Sequence, residues 1–339
     1  MRISQVKEVV RHCVSTQSPV MIHSAPGLGK SDLVRQIVAD KNALTPKAKG
    51  KAKQEVYGLV DFRLALRDPT DIKGFPMPDQ ATSTMKFFRD GELPKDGNGI
   101  LFLDEINSAA PSTQAAAMQL TLDRKIGDYR LPDGWSIVAA GNRETDRSVV
   151  NRMPSALSLR LQHVDLEVSL DDSCEWAFAN GISPEMIAFW RFKPDLLHKF
   201  DATLRSSPNP RSWARANKDL DAPISKEARF ELLKGTVGEV AALDFTAFRQ
   251  IWHNLPSLDQ IMLNPKDTPV PKEPGTLYAL ATAIGLRANG GNMNKLMMYV
   301  TRMPVEFQVL TVRDIVRTSS DAITTTSYVE WCVNNSHIL

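Results

Sequence analysis

The chain has 339 residues, 42% of them hydrophobic, and a formal net charge of +2 from 41 Lys and Arg against 39 Asp and Glu. That length can bury a sizeable core and divides into more than one domain, and the near balance of charge argues against a strongly electrostatic nucleic-acid or membrane binder. Cys13, Cys174 and Cys332 are too few and too far apart for a disulfide framework or a zinc site, so they read as small buried apolar groups of a reduced, cytoplasmic compartment.

The first residues carry no signal-peptide pattern, and no apolar run approaches the ~20 residues that span a bilayer. Residues 4–15 read as an amphipathic helix with Val6, Val9, Val10, Cys13 and Val14 on one side. Val20-Met21-Ile22-His23 suits a short buried strand, and Asp32 to Val38 repeats apolar residues at helical spacing. Between them lies Ser24-Ala25-Pro26-Gly27-Leu28-Gly29-Lys30-Ser31. Strand, glycine-rich turn and helix are the context of a phosphate-binding loop. Gly27 and Gly29 let the backbone curl with its N–H groups turned toward phosphate oxygens, and the helix start adds its positive dipole end. Pro26, Gly27, Leu28, Gly29, Lys30 and Ser31 are the expected ATP-binding residues. Lys30 would reach the β- and γ-phosphates, and Ser31 would offer its hydroxyl to magnesium. Ser24 stands where the pattern has its first glycine.

Residues 47–53 place Lys at alternate positions and read as a solvated surface loop, with a nucleic-acid or acidic partner as the alternative. Val56 to Val60, continued by Asp61-Phe62-Arg63-Leu64, reads as the next strand, and residues 68–78 as a turn-rich stretch that ends it. Ile100-Leu101-Phe102-Leu103 is a strand buried on both faces that ends in Asp104-Glu105. An acidic pair at the exit of such a strand sits where open α/β sheets bind ligands. Asp104 would hold magnesium and Glu105 would polarise the attacking water. Pro111 to Asp123 reads as a helix, residues 125–135 as a hairpin, and Ile137 to Ala140 as a further buried strand that ends at Gly141-Asn142-Arg143. From about Val164 the composition turns helical with no convincing strand up to Trp252. Residues 264–275 hold Pro265, Pro269, Pro271 and Pro274, a linker or a surface-hugging loop, and Leu277, Leu280, Ala281 and Ile284 then repeat at helical spacing. Met293, Met297 and Met298 read as core filler, and the scattered histidines offer no protein-held metal centre.

Taken together, this order resembles the AAA+ ATPases, and within them the MoxR-like branch. Asp104-Glu105-Ile106-Asn107 followed by Ala110-Pro111-Ser112-Thr113-Gln114 is similar to that branch's acidic motif and the helix after it, and residues 68–74 to its segment after the second strand. Met153-Pro154-Ser155-Ala156-Leu157-Ser158-Leu159-Arg160 resembles the stretch carrying an arginine finger, with Arg152 close by as a second candidate, and Pro208-Asn209-Pro210-Arg211-Ser212 resembles a second sensor. The resemblance implies an α/β fold: a P-loop AAA+ parallel sheet with helices on both faces (residues 1–163), a helical lid (164–258) and a Pro-rich linker with a C-terminal helical extension (259–339). It implies ATP and magnesium as cofactors and a homo-oligomeric, six-membered ring. On that alignment Asn142 orients the attacking water, Arg211 touches the γ-phosphate from the lid, and Arg160 reaches a neighbour's nucleotide. The implied function is ATP-driven, chaperone-like remodelling of a protein partner, such as one with a von Willebrand A domain; the alternative is a nucleic-acid motor or loader, kept open by residues 47–53 and by Lys125 to Arg130. An exposed apolar grip at Gly74-Phe75-Pro76-Met77 is expected near the ring's channel or a partner-facing surface, with Phe75 as a core anchor the competing reading.

Overall fold

The computed structural model describes residues 1–44, 56–88, 91–143, 146, 151–336 and 338, so the lysine-rich stretch 47–53 lies outside the described residues. The described chain forms two compact units: residues 1–172 with 200–203, and residues 173–199 with 204–339.

In the first unit the order is α1 (Ile3–Ser15), β1 (Val20–Ser24), α2 (Lys30–Leu44), β2 (Gly58–Arg63), α3 (Pro69–Lys73), β3 (Phe75–Asp79), β4 (Thr84–Phe88), β5 (Asn98–Asp104), α4 (Pro111–Asp123), β6 (Lys125–Ile126), β7 (Tyr129–Arg130), β8 (Gly134–Asn142), α5 (Ser155–Ser158) and β9 (Gln162–Asp165). Five of these strands make one parallel sheet in the order β2-β5-β8-β1-β9. Alternate residues of each strand feed opposite faces. Val20, Ile22, Ile100, Phe102, Val138 and Ala140 pack with Val6, Val10 and Cys13 of α1 and with Leu33, Val34 and Ile37 of α2. Met21, Leu101, Leu103, Ile137 and Ala139 pack with Ala116, Ala117 and Leu120 of α4 and with Leu157 of α5. A sheet covered on both faces needs strands that are apolar throughout, and this is why β5 and β8 read as continuous runs. The fold is the α/β P-loop sheet with helices on both faces, followed by a helical region.

Two expectations change. Residues 68–78 are not one turn: Asp68 caps α3, and the chain then enters the antiparallel pair β3–β4. Pro76 and Pro78 hide that strand from a propensity reading, because proline cannot donate to a ladder and is tolerated only on an edge. The region after Asn142 also holds a strand, β9, which pairs with β1 at the sheet's edge. Only Val164 of its four residues is buried, so it carries no readable apolar period.

The second unit is helical. Helix α6 (Leu170–Ala179) enters it, followed by α7 (Pro184–Phe192), α8 (Pro210–Asn217), α9 (Lys226–Val237), α10 (Glu239–His253), α11 (Leu258–Leu263), α12 (Pro274–Arg287), α13 (Met293–Val300), α14 (Val305–Thr318) and α15 (Thr326–Asn334). Phe189, Trp213, Phe245 and Phe248 form one aromatic cluster, with ring centroids 5.1–5.6 Å apart. Leu277, Leu280, Ile284, Met293, Leu296, Met297, Ile315 and Trp331 belong to a separate, mainly aliphatic core. Met298, expected in that core, is 48% exposed. The proline-rich stretch hugs its own unit: Tyr299 Oη donates to Pro269 O at 2.9 Å, and Arg302 Nη1 to Pro265 O and Thr268 O at 2.8 Å each. Deep inside, Arg191 pairs with Asp314 at 2.6 Å and also donates to Thr282 Oγ1. Burial pushes the Cys174 thiol beside that pair up to about 11. Among the described residues no helix is long and apolar enough to cross a membrane.

Candidate active site

Strand order decides what meets what. Because β8 lies between β5 and β1, the C-terminal ends of three neighbouring parallel strands deliver Asp104, Asn142 and Ser24 to one edge, with Ser24 and Asn142 in register. This is the edge at which open α/β sheets bind ligands.

After Ser24 the chain curls through Gly27 at φ 83° and Gly29 at φ 81°. A Cβ on Gly29 would meet nothing within 4 Å, so the demand there is for the left-handed backbone and not for space. Leu28 is buried and pins the loop to the core beside α2. Helix α2 starts at Lys30, so its unpaired first-turn N–H groups open toward the loop.

Lys30 bridges two strands. Its Nζ donates to Ser24 Oγ at 2.9 Å, to Ser24 O at 3.3 Å and to Asn142 Oδ1 at 3.0 Å. Ser24, at the position of the pattern's first glycine, therefore supplies an acceptor that a glycine lacks. Ser31 Oγ donates to Asp104 Oδ2 at 2.9 Å, and Asp104 is almost fully buried. The other carboxylate oxygen accepts the Glu105 backbone N–H at 2.9 Å. Glu105 itself sits at φ 56°, a left-handed conformation that a non-glycine residue adopts at a cost of order 1–3 kcal/mol. That twist leaves its side chain exposed beside the buried Asp104.

Asn107 holds this arrangement together. It is buried; its Nδ2 donates to Asn142 O at 2.6 Å, and its Oδ1 accepts Asn142 N–H at 3.2 Å. Its own carbonyl accepts Asn151 N–H at 2.7 Å. The acidic loop after β5, the end of β8 and the approach to α5 are thus joined through one residue. Gly141 makes room for it, since a Cβ there would lie 2.2 Å from Asn107 Oδ1.

The structure brings together the loop Pro26 to Ser31, Asp104, Glu105 and Asn142. Arg160 lies elsewhere in the first unit: it is exposed, just beyond α5, with Nη1 donating to Ala156 O at 2.7 Å. Its neighbour Leu159 is 86% exposed. Arg152 is exposed and lines a cleft of about 670 Å³ together with His23, Asn107, Ser155, Ser158 and His163. Arg211 belongs to the second unit, exposed in the first turn of α8, where Asn209 caps the helix by accepting Ser212 N–H. Reading the sequence alone assigned no role to Ser24 or Asn107, or to the contact between His23 and His163. The available signal was the Asn two residues after Glu105, matched by a glycine before Asn142.

The donor set fits a nucleotide phosphate and a hard divalent cation: an ammonium and a glycine-shaped loop for the first, a hydroxyl and a carboxylate oxygen for the second. No protein-family model matches the chain, and no curated protein matches it. Among solved structures it is similar to NtrX from Brucella abortus in complex with ATP, at 18% identity over 88% of this chain and 64% of that one, with a TM-score of 0.42. It is also similar to RuvB from Thermotoga maritima, a Holliday junction branch migration motor, at 15% identity over 84% of this chain and 80% of that one, with a TM-score of 0.40. The chain thus spans under two thirds of that NtrX chain, and the assignment of the fold rests on the strand order above.

Proposed function

We propose that this chain is a magnesium-dependent ATPase of the AAA+ kind, resembling the MoxR-like branch, that assembles into a ring and remodels a protein partner. The observation that carries the ATPase reading is the convergence of Lys30, Ser31, Asp104 and Asn142 at the ends of three adjacent parallel strands.

The loop from Pro26 to Ser31 cradles the phosphates with its backbone N–H groups, and Lys30 leaves Ser24 and Asn142 to meet the β- and γ-phosphates. Ser31 and Asp104 are the residues that would hold magnesium, whose charge would neutralise the phosphate oxygens. Glu105, exposed next to Asp104, polarises the attacking water, and Asn142 orients it from the end of β8. Arg211 acts from the helical lid (residues 164–258), and residues 259–339 are its extension. Arg160, turned outward with Leu159, serves a neighbouring subunit's nucleotide, as expected for a cation that stabilises charge developing only during transfer.

The hairpin β3–β4 supports a protein partner. Phe75, Met77, Met85 and Phe88 are 63%, 47%, 55% and 64% exposed, so Phe75 does not anchor the core. Apolar groups gathered on a small exposed element mark an interaction surface. A partner with a von Willebrand A domain and a six-membered ring belong to this proposal through the resemblance alone.

The test is a pair of variants. Lys30→Ala should lose ATP binding, whereas Glu105→Gln should bind ATP and fail to turn it over, because only the water-polarising carboxylate is removed. Removing magnesium with a chelator should stop turnover in the parent. Parent-like hydrolysis by Glu105→Gln would overturn the assignment.

A further inference from the structure

Two histidines far apart in sequence meet beneath α5. His23 is the penultimate residue of β1, next to Ser24, which holds Lys30. His163 lies on β9. Their rings stack with centroids 5.1 Å apart, and His23 Nε2 lies 2.8 Å from His163 Nδ1. On its far side His163 Nε2 lies 2.8 Å from Ser158 O and 3.2 Å from Ser158 Oγ.

Chemistry fixes the proton positions. A carbonyl oxygen only accepts, so His163 Nε2 carries hydrogen toward Ser158 O. In the neutral ring Nδ1 is then the acceptor, and His23 Nε2 is the donor. A directed chain runs from His23 through His163 to the last residue of α5.

The helix α5 needs such a tie. It has four residues, Ser155–Ser158, about one turn, and a single turn does not hold itself. Leu157 is its buried anchor, whereas the cleft of about 670 Å³ lined by His23, His163, Arg152, Ser155 and Ser158 leaves part of its inner side without close packing. Arg160 follows after Leu159: its N–H donates to Leu157 O at 3.2 Å and its guanidinium returns to Ala156 O. Where α5 goes, Arg160 goes.

We propose that the His23–His163 pair is a positioning strut that joins the phosphate-loop strand to α5 and so sets where Arg160 is presented to the neighbouring subunit. Its consequence for turnover rests on the trans role proposed for Arg160. The pair also makes that presentation sensitive to acid. One added proton still leaves an N–H···N bond; a second leaves two donors facing each other. Asp165 on β9 favours the charged form, while Lys30 of α2 and Arg143 after β8 oppose it, and Arg152 lines the same cleft. Burial first, then His163, holds His23 below its ordinary value of 6.5. The folded protein thus prefers the neutral ring at His23 and resists the second proton, the one that would set two donors face to face.

The experiment uses the full chain and two variants, His163→Ala and His163→Gln. His163→Ala should bind ATP like the parent and melt cooperatively, with turnover lowered on the order of 10²-fold, the scale of a misplaced transition-state group. His163→Gln keeps a donor within reach of Ser158 O, so it should recover much of that turnover while losing the parent's acid-side fall in rate. Mixing locates the defect. In rings of His163→Ala and Glu105→Gln subunits, some sites pair an intact Glu105 with an Arg160 backed by an intact strut, and these should regain activity. Rings of Arg160→Ala and Glu105→Gln are the control. If the control recovers nothing although mixed rings form, the trans reading of Arg160 is wrong. If the control recovers and the His163→Ala mixture does not, the pair acts on its own phosphate loop and the strut is refuted. Parent-like turnover in His163→Ala refutes it as well, and should that variant fail to fold, His163→Gln with its pH profile decides.

Discussion

Asn107 satisfies both backbone groups of Asn142 at once, and Gly141 exists in the form the site needs because any Cβ would strike it. Asn107→Ala would leave the half-buried N–H and carbonyl of Asn142 without that partner, a loss of at most about 1–3 kcal/mol for each group. We expect ATP binding to persist and turnover to drop, because Asn142 would no longer be held between Lys30 and the acidic pair. Asn107→Asp keeps the acceptor and loses the donor, so it should fall between, and measuring kcat alongside the melting temperature separates misplacement from unfolding. A different side-chain pair sets stability in the second unit. Arg191 and Asp314 are 6% and 0% exposed and bonded twice, at 2.6 and 2.7 Å. Removing one partner strands a buried charge, so Asp314→Ala should destabilise that unit by about 3–5 kcal/mol. Replacing both, as Arg191→Met with Asp314→Leu, should cost less than the single change. Denaturant melts of the three variants check this, and equal losses in single and double variants would show that the ion pair itself is what stabilises.

At the scale of elements, the β3–β4 hairpin is the outlier. Pro76 and Pro78 stand at alternate positions of β3, opposite Phe87 and Met85. Lacking N–H groups, they cannot lie at ladder-donating positions, so they close the outer edge of β3 to further strands. An exposed apolar hairpin with one edge shut suits the proposed partner contact without offering that edge to polymerisation. Phe75→Ala combined with Phe88→Ala should therefore leave the melting temperature and basal ATP hydrolysis near the parent values and abolish stimulation by the partner. A large drop in melting temperature would mean that the pair is structural. The same elements show what a sequence reveals. Strands β5 and β8 were legible because both faces are buried, and Asp104 and Glu105 because they stand where such a strand stops. The hairpin was not, since its prolines imitate a turn, nor was β9, which buries one side chain of four. The work of Asn107 and of the two histidines depends on β8 entering between β5 and β1 and on β9 joining at the edge, which are facts of strand order that no local pattern encodes.

For the whole molecule, charge separates the two functional classes. A motor on nucleic acid neutralises backbone phosphates with clustered Lys and Arg, and its affinity falls steeply with salt. Here 41 basic residues stand against 39 acidic ones. Several exposed cations of the first unit already have carboxylates beside them: Arg35 with Asp32 and Asp61, Lys86 with Asp79, and Arg130 of the β6–β7 hairpin with Asp133. That local neutralisation works against a continuous basic track and favours a protein partner at the apolar hairpin. We therefore expect single- and double-stranded DNA and RNA to leave ATP hydrolysis unchanged at both low and near-physiological ionic strength. The partner protein should stimulate it in a way that depends on Phe75 and Phe88 and varies little with salt, because apolar burial is not screened as exposed charge is. Stimulation by nucleic acid that is strong at about 50 mM salt and lost by about 200 mM would carry the signature of phosphate-backbone binding and assign this chain to the motor class instead.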